Sequence, residues 1–245
     1  MRSLSIAPLV LLFSLGSFLA ACGSDENAAS SQAGVSEQQH LVDNSRYAVD
    51  KLRTDSALSG PVNDYLSRAR GILVFPNLLR AGLGVGGAGG TGVLLTRKAD
   101  GSGWSNPVFY VAGEGSLGLQ IGAEGGRVAF LVMNDGALNK IVNATSVNLG
   151  ADMSIAIGPY GGGAQGAVTN NLGADLVAFS DQAGIFGGVA IKGGVITPRD
   201  AWNTAYYGPG ATPPAIIAGQ FRNPGARDLI AALNAPRTQR SSLSQ

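Results

Sequence analysis

The chain has 245 residues, of which 13% are charged and 37 are glycine, and its formal net charge is +1. An average globular protein carries roughly 25% charged residues and roughly 7% glycine, so this chain is poor in charge and rich in glycine. A near-neutral chain has no net field that would attract nucleic acid, so we exclude nucleic acid as a partner. The hydrophobic share of 45% argues against disorder beyond about residue 60 and, with the glycine, predicts closely apposed strands.

The N-terminus predicts a lipoprotein signal peptide over residues 1–21. Arg2 supplies a charged segment, and residues 6–18 form an apolar stretch too short to span a bilayer. Residues 19–22, Leu-Ala-Ala-Cys, match a bacterial lipobox. Cys22 is the only cysteine, and we expect it to carry a covalent diacylglycerol and an acyl chain such as palmitate. The alternative is an ordinary secretory signal with an incidental cysteine.

The lipobox also predicts where the protein resides. Gly23 and Ser24 follow Cys22, whereas lipoproteins retained in the inner membrane commonly have aspartate there. We therefore predict a lipid-anchored envelope protein in the outer membrane, facing the periplasm or the surface. With Cys22 acylated, no disulfide can form, so the fold depends on its core.

Two amphipathic helices are predicted after a flexible tether. Residues 22–39 are rich in Ser, Ala, Gln and Asn without an apolar period, which is typical of a tether. Apolar residues at helical spacing predict a first helix over 41–58. A second helix is predicted to begin at Pro61, capped by Ser59. Both helices either pack on the domain or lie on a membrane surface.

From Gly71 onwards the pattern changes to that of strands. The apolar run 72–75 is predicted to end at Pro76. Elsewhere, alternation predicts strands with one aliphatic face and one face of small or polar residues. These strands cover residues 117–124, 153–158 and 189–192.

A short repeat links two of the predicted strands. Leu-Gly-Ala-Asp occurs at residues 149–152 and again at 172–175, each time just before an apolar run. We interpret the copies as a hairpin pair. For Asp152 and Asp175 a role in turns or caps is favoured over paired acid/base chemistry.

Helices are predicted again between and after the strands. Asp135 to Val142 forms a short one, and Thr197 opens another, with a capping-box pattern, that Gly208 ends. Two more are predicted to open at Thr212-Pro213 and Asn223-Pro224. The element order predicts an α+β fold, with a glycine-rich, mainly antiparallel sheet, sandwich or barrel-like, flanked by N- and C-terminal helices.

No motif predicts catalysis. Residues 82–87 match G-x-G-x-x-G, but a β-like run follows instead of the helix that a nucleotide site requires. The single histidine, His40, lies at the boundary between tether and helix, which disfavours a Ser-His-Asp triad and a histidine metal site. Ser116 lacks the first glycine of a nucleophile elbow. We therefore predict no enzyme activity, no catalytic residue, no metal and no cofactor.

Basic residues cluster in sequence around the first junction between helix and strand, with one tryptophan nearby, and could contact phospholipid head groups. This candidate lipid-binding set consists of Arg68, Arg70, Arg80, Arg97, Lys98 and Trp104. The alternative is solvated surface charge. Lys192 is a further candidate, which either pairs with Glu124 or meets a lipid phosphate.

Several stretches, in a consistent order from about residue 40 to 233, resemble the SYLF domain. This is the lipid-binding module of yeast actin-patch proteins and plant FYVE-associated proteins, and it also occurs in bacterial lipoproteins. The matching stretches are 69–76, 81–92, 104–107, 118–124, 149–152 with 158–159, 184–189, and Asn203 with 206–208.

The resemblance implies a glycine-rich β domain with flanking helices that binds phospholipids, in eukaryotes often phosphoinositides, with actin as a partner there. We do not transfer the actin role to a bacterial envelope. Asp181-Gln182-Ala183 replace the basic residues usual in the family, which implies weaker binding of anionic lipid at that point. The N-terminal amphipathic segment resembles the family's membrane-contacting helix.

We accordingly predict a membrane-anchored lipoprotein that binds phospholipids without catalysis. The SYLF-like domain is expected to cover residues 40–235, and residues 236–245 to form a disordered tail. The alternative is a structural or protein-interaction module of the envelope without specific lipid binding, whose protein partner the sequence does not name.

Overall fold

The computed structural model describes residues 26–159, 173–181 and 194–236, and side chains from residue 37 onwards except 80–88 and 114–124. The predicted signal peptide, Cys22, the strand at 189–192 and the tail beyond residue 236 lie outside the described residues. The elements in chain order are α1 (Glu26–Thr54), α2 (Ser59–Arg68), β1 (Gly71–Thr96), β2 (Val108–Val132), α3 (Asp135–Asn143), β3 (Val147–Asn148), β4 (Ile155–Ile157), β5 (Leu176–Ser180), β6 (Val195–Pro198), α4 (Asp200–Tyr207), α5 (Pro213–Ile217) and α6 (Arg227–Asn234).

The predicted α+β fold is confirmed. The described strands form one sheet in the order β3-β6-β2-β5-β4, and β1 pairs with β2 as a long antiparallel hairpin. Among the strands that the structure describes, only β4 and β5 pair in parallel. Among the described residues, no helix is both long enough and apolar enough to cross a membrane.

Helices cover both faces of the sheet where the first residues of β1, the last residues of β2 and β5 lie side by side, so both faces are buried there. In β1, Ile72 and Val74 pack in a cluster with residues of α1, α2 and α6. The intervening Leu73 and Phe75 pack in a second cluster with residues of α3 and α5. All five residues of β5 are buried. Two buried faces leave few positions for charged side chains, in keeping with the 13% charged residues of the chain.

The prediction that Pro76 ends the first strand is wrong. β1 continues to Thr96, with a register shift against β2 between Phe75 and Leu78. A bulge accommodates proline because its position needs no ladder N–H. The strand then curls back on itself, and a Cβ added to Gly92 would lie 2.4 Å from the Val74 carbonyl oxygen.

The two N-terminal helices differ from the prediction at their starts. α1 begins at Glu26, inside the predicted tether, where Glu, Ala and Gln are good helix formers although they form no apolar stripe. α2 begins at Ser59, and its N-cap Leu58 makes no capping bond, so Ser59 is not the cap. The carboxylate of Asp55 instead accepts hydrogen bonds from the backbone N–H groups of Ala57 and Leu58.

The repeat precedes two neighbouring strands, but the predicted hairpin is wrong. β4 and β5 run parallel, with Ile155 opposite Leu176. The faces of β4 are also reversed from the alternation, because Ala156 is buried whereas Ile157 is 47% exposed. β4 is the last strand in the order of the described sheet. There Ala156 packs in one of the buried clusters, whereas Ile157 lies at the surface.

The later helices follow the prediction closely. The Asn134 side chain caps α3, and Gly208 ends α4 with a φ of 100°, a backbone conformation that favours glycine. The Asn223 side chain accepts a hydrogen bond from Gly225 N and caps the 3-10 turn that precedes α6. The capping box at the start of α4 is wrong, because Arg199 is the N-cap and makes no side-chain bond.

Candidate functional site

The loop between β1 and β2 brings part of the predicted lipid-binding set together. The guanidinium of Arg97 lies 4.3 Å from the centre of the Trp104 ring, and its Nη2 donates a 3.0 Å hydrogen bond to the Leu66 carbonyl. Burial lowers the pKa of Arg97. Trp104 is only 1% exposed, so its indole cannot serve as an exposed interfacial anchor.

Arg68 and Arg70 lie at the surface, and each has an acidic neighbour. Arg68 forms a 2.7 Å ion pair with Asp64 and lies 4.8 Å from the Tyr65 ring. Arg70 lies 3.3 Å from Asp135. Both arginine side chains are more than half exposed, at 55% and 56%, so these surface pairs stabilise the fold little and remain open to other anions.

The side chains of three further predicted residues are not described by the structure. Arg80 pairs with Glu124 in the backbone register of β1 and β2, but neither side chain is described. Lys192 and Cys22 lie outside the described residues. Their roles stay predictions.

A cavity of about 540 Å³ lies where the β1–β2 loop meets the C-terminal helices, and we call it the cationic cavity. Its lining residues are Lys98, Trp104, Ser105, Asn106, Ile217, Gly219, Arg222, Asn223, Pro224, Arg227 and Ile230. Asn223 fixes the far wall, because its backbone N–H donates to Asn106 Oδ1 and its Nδ2 donates to the Tyr206 carbonyl. The volume falls within the range of small-molecule sites.

Arg222 and Arg227 were not predicted as site residues. Both follow Lys98 at a long distance in the chain, and no local pattern shows that they meet it. The C-terminal wall of the cavity includes residues of α6, which packs against α1, where Arg53 donates hydrogen bonds to the carbonyls of Ala232 and Ala235. Tertiary contacts of this kind, together with the Asn223–Asn106 hydrogen bond, bring the three cations to one rim.

A second surface surrounds Tyr47 on α1, and we define the Tyr47 surface as Tyr47, Lys51, Leu79 and Arg127. The tyrosine is 48% exposed and Leu79 is 57% exposed. Lys51 Nζ lies 5.3 Å and Arg127 Cζ 5.6 Å from the centre of the Tyr47 ring. The side chain of Arg127 is held by two donated hydrogen bonds to Asp181 Oδ2.

Leu79 and Tyr47 both lie next to Gly125 of β2. Tyr47 lines a depression of about 410 Å³ together with Asn77, Gly125 and Arg127. A Cβ placed on Gly125 would lie 2.9 Å from Leu79 Cδ2, so the leucine packs directly over that residue. The sequence offered one signal for this surface, since Tyr47 lies among charged residues and off the apolar stripe of its helix.

Titratable groups with shifted pKa values have structural roles. Burial raises the pKa values of Tyr110, Tyr206 and Tyr207. Asp152 Oδ2 accepts hydrogen bonds from Asn148, chiefly from its backbone N–H, and these lower the pKa of Asp152. Asp152 thus holds a local turn, as predicted, whereas Asp175 accepts from Asn134 and Ser154, which are distant in the chain, and so links separate segments.

Among the residues that the structure describes, no group of three His, Cys, Asp or Glu side chains could hold a metal ion. The described part of the chain thus presents two candidate binding regions, the cationic cavity and the Tyr47 surface.

Comparison with known proteins identifies the family. A family model described as "Ysc84: Las17-binding protein actin regulator" matches residues 113–236, about half of the chain. The chain belongs to the Ysc84, or SYLF, family. This confirms the family resemblance drawn from the ordered stretches between residues 40 and 233.

The Ysc84 relatives include proteins of yeast and human. The chain is 33% identical over 168 residues to "LAS seventeen-binding protein 3" of Saccharomyces cerevisiae, covering 67% of this chain and 36% of the relative. It is 31% identical over 166 residues to "Protein YSC84" of the same yeast, covering 66% and 35%. It is 28% identical over 171 residues to "SH3 domain-containing YSC84-like protein 1" of Homo sapiens, covering 69% and 49%.

The chain spans only about a third to a half of the length of these Ysc84 relatives. The name of one yeast relative refers to binding of Las17, and the family description adds regulation of actin; both are properties of those proteins. The matched family region contains Arg222 and Arg227, whereas Lys98, Trp104 and Tyr47 precede it.

Proposed function

We propose that this chain is a lipoprotein anchored at Cys22 in the outer membrane, whose SYLF domain binds phospholipid surfaces without catalysis. The observation that carries the proposal is the Tyr47 surface. Tyrosine is enriched at membrane interfaces, where its ring contacts the acyl region and its hydroxyl stays hydrated. Lysine and arginine beside it would contact lipid phosphates, and Leu79 would add apolar area.

The acyl anchor makes weak surface binding sufficient. A covalently attached domain meets the bilayer at a high effective concentration, so each contact of the Tyr47 surface needs little affinity of its own. The near-neutral charge of the chain, +1, supports the same view, since charge alone would not attract the domain to a membrane.

The experiment uses residues 22–245 with Cys22→Ser, which contain every residue that the structure describes and lack the anchor. Binding to vesicles of phosphatidylethanolamine and phosphatidylglycerol is measured by co-sedimentation. The double variant Tyr47→Ala, Lys51→Ala should bind about fivefold more weakly or worse, because one lysine near a membrane contributes about 1 kcal/mol. The matched control, Lys140→Ala with Ile157→Ala, removes one cation and one exposed apolar side chain elsewhere and should bind normally.

A second candidate function is an envelope module that binds a protein. The names of the relatives favour it, since they refer to a protein partner. Absence of vesicle binding by the parent chain would reject the lipid proposal and support this one. Equal weakening by the double variant and its control would reject the Tyr47 surface as the contact.

The anchor is tested separately in cells that express the full chain. Radiolabelled palmitate should be incorporated into the wild-type protein and not into the Cys22→Ser variant. A wild-type protein without label would show an ordinary secretory signal, and would leave the lipid-binding test of the domain unaffected.

A further inference from the structure

Three cations converge on the rim of the cationic cavity. Lys98, Arg222 and Arg227 all line it, and all three are exposed. Among the residues that the structure describes, none of the three forms an ion pair with a carboxylate, whereas Arg46, Arg68, Arg70 and Arg127 each do. The rim therefore concentrates positive charge in a chain that is almost neutral as a whole.

The acidic residues close to the rim compensate it only in part. Hydrogen bonds from Ser102, chiefly from its backbone N–H, and the charge of Lys98 lower the pKa of Asp100. Asp228 follows Arg227 in the chain, but neither it nor Asp100 lines the cavity. An anion at the rim would thus meet three cations and no lining carboxylate.

The walls below the rim are mostly apolar. Trp104, Ile217, Pro224 and Ile230 line them. The Trp104 Nε1–H is buried and has no hydrogen-bond partner among the described residues, although a buried indole N–H normally finds an acceptor. Ser105 is already satisfied, since its Oγ accepts from Thr96 N and donates to the Asn106 carbonyl.

We propose that the cationic cavity binds the phosphate group of an amphiphile, with Lys98, Arg222 and Arg227 around the phosphate and Trp104, Ile217 and Ile230 against the adjoining apolar part. Arginine forks match phosphate geometry, and a lysine adds a compact charge. The choice of an amphiphile rests on the proposed phospholipid-binding function, whereas the choice of phosphate rests on the rim.

The test uses Trp104 as its own reporter. The chain has two tryptophans, so Trp202→Phe in the Cys22→Ser chain of residues 22–245 leaves Trp104 as the only source of indole fluorescence. The probes are a short-chain phosphatidic acid that stays monomeric, the matching phosphatidylcholine, and inorganic phosphate. We expect saturable quenching or a spectral shift with phosphatidic acid and weaker binding of the choline-capped phosphate.

A charge-matched pair of variants tests the rim. Arg222→Ala with Arg227→Ala should weaken phosphatidic acid binding about tenfold or more, since charge-assisted bonds to phosphate are the strong ones. Arg46→Ala with Lys140→Ala removes the same charge elsewhere and should not change the affinity. Isothermal titration of the chain with both tryptophans repeats the measurement should Trp202→Phe disturb folding.

Each outcome decides the proposal. Equal affinity for inorganic phosphate and phosphatidic acid would overturn the apolar part of the site. No binding of any probe, or equal loss in both double variants, would overturn the phosphate site. If the phosphate site is overturned but the chain still binds vesicles through the Tyr47 surface, the proposed function stands. If the chain binds neither the probes nor vesicles, the phosphate site and the proposed function are both rejected.

Discussion

The guanidinium of Arg97 stacks on the indole of Trp104 at 4.3 Å from the ring centre. The same side chain donates a hydrogen bond to the Leu66 carbonyl near the end of α2, so it connects that helix to the loop that forms one wall of the cationic cavity. Arg97 consequently holds Trp104 in place, and Lys98, its neighbour in sequence, is the cation that reaches the rim.

Replacement of Arg97 should therefore destabilise the fold. Arg97→Ala removes the stacking contact and leaves the Leu66 carbonyl without this donor, which should lower the free energy of unfolding by about 1–3 kcal/mol. Arg46→Ala, which removes an exposed pair with Asp50, should cost about 0.5 kcal/mol or less. Urea denaturation measures both, and equal effects would contradict a structural role for Arg97.

The curl of β1 depends on Gly92. A Cβ there would lie 2.4 Å from the Val74 carbonyl oxygen and 2.6 Å from a ring carbon of Phe75, and the backbone cannot yield without moving the sheet. Gly92→Ala should destabilise the protein by about 1–3 kcal/mol or more. Gly113→Ala adds a Cβ to β2 at a place with no atom within 4 Å, and thermal unfolding should show little change. A stable Gly92→Ala variant would mean that the two halves of β1 do not lie this close.

Acid should weaken the protein partly through Asp175. Although burial raises its pKa, hydrogen bonds from Asn134 and Ser154 outweigh that effect, and the net shift is downwards. A carboxyl with a lowered folded-state pKa stabilises the fold above its unfolded pKa of about 3.9, and the contribution is lost as the pH falls further. Asp175→Asn should cost about 1 kcal/mol at pH 7, because the carboxylate is only partly buried and loses charge-assisted hydrogen bonds.

The difference between Asp175→Asn and the parent should shrink as the pH approaches 3, since the parent then also loses its charge. Urea denaturation at several pH values between about 3 and 7 measures the difference. A difference that stays constant over this range would contradict the assignment.

Alkali should weaken the protein partly through Tyr206. Burial, with a smaller effect of Asp43, raises the pKa of Tyr206 to about 12, and its hydroxyl donates a 2.9 Å hydrogen bond to Gln39 Oε1. A group with a raised folded-state pKa stabilises the fold below its unfolded pKa, about 10 for tyrosine, and this stability is lost as the pH rises towards the folded value.

Tyr206→Phe should accordingly cost about 0.5–1.5 kcal/mol at pH 7 and lose less stability than the parent above pH 10. Guanidinium denaturation between pH 7 and 11 compares the two proteins, and lysine deprotonation affects both alike. Parallel stability curves would show that Tyr206 ionises as readily in the folded state as in the unfolded one.

Several parts of the fold were predictable because their causes are local. The caps of α3 and the turn before α6 depend on Asn134 and Asn223, whose side chains bond to backbone groups two or three residues ahead. Gly208 ends α4 for an equally local reason, since its φ of 100° suits glycine. The repeat before β4 and β5 also indicated correctly that these strands are neighbours.

Other parts depended on contacts that sequence patterns do not encode. A bulge lets β1 pass through Pro76, and the parallel pairing of β4 and β5 follows from their places in the sheet. The polar start of α1 carries no apolar stripe, so its composition predicts a tether although its residues form a helix. The position of Trp104 among basic residues in the chain predicts an exposed side chain, whereas packing buries it.

The sequence by itself determined the family, the α+β class, most of the helices after β2 and the scarcity of charge that suits a sheet whose central part is buried on both faces. Only the tertiary structure decided which polar and aromatic residues act together. Arg127 lies near Tyr47, and Arg222 and Arg227 line the same cavity as Lys98, although these residues are too far apart in the chain for any periodicity to relate them. Local backbone preferences determine where helices begin and end, but burial of side chains between distant elements determines which surfaces meet.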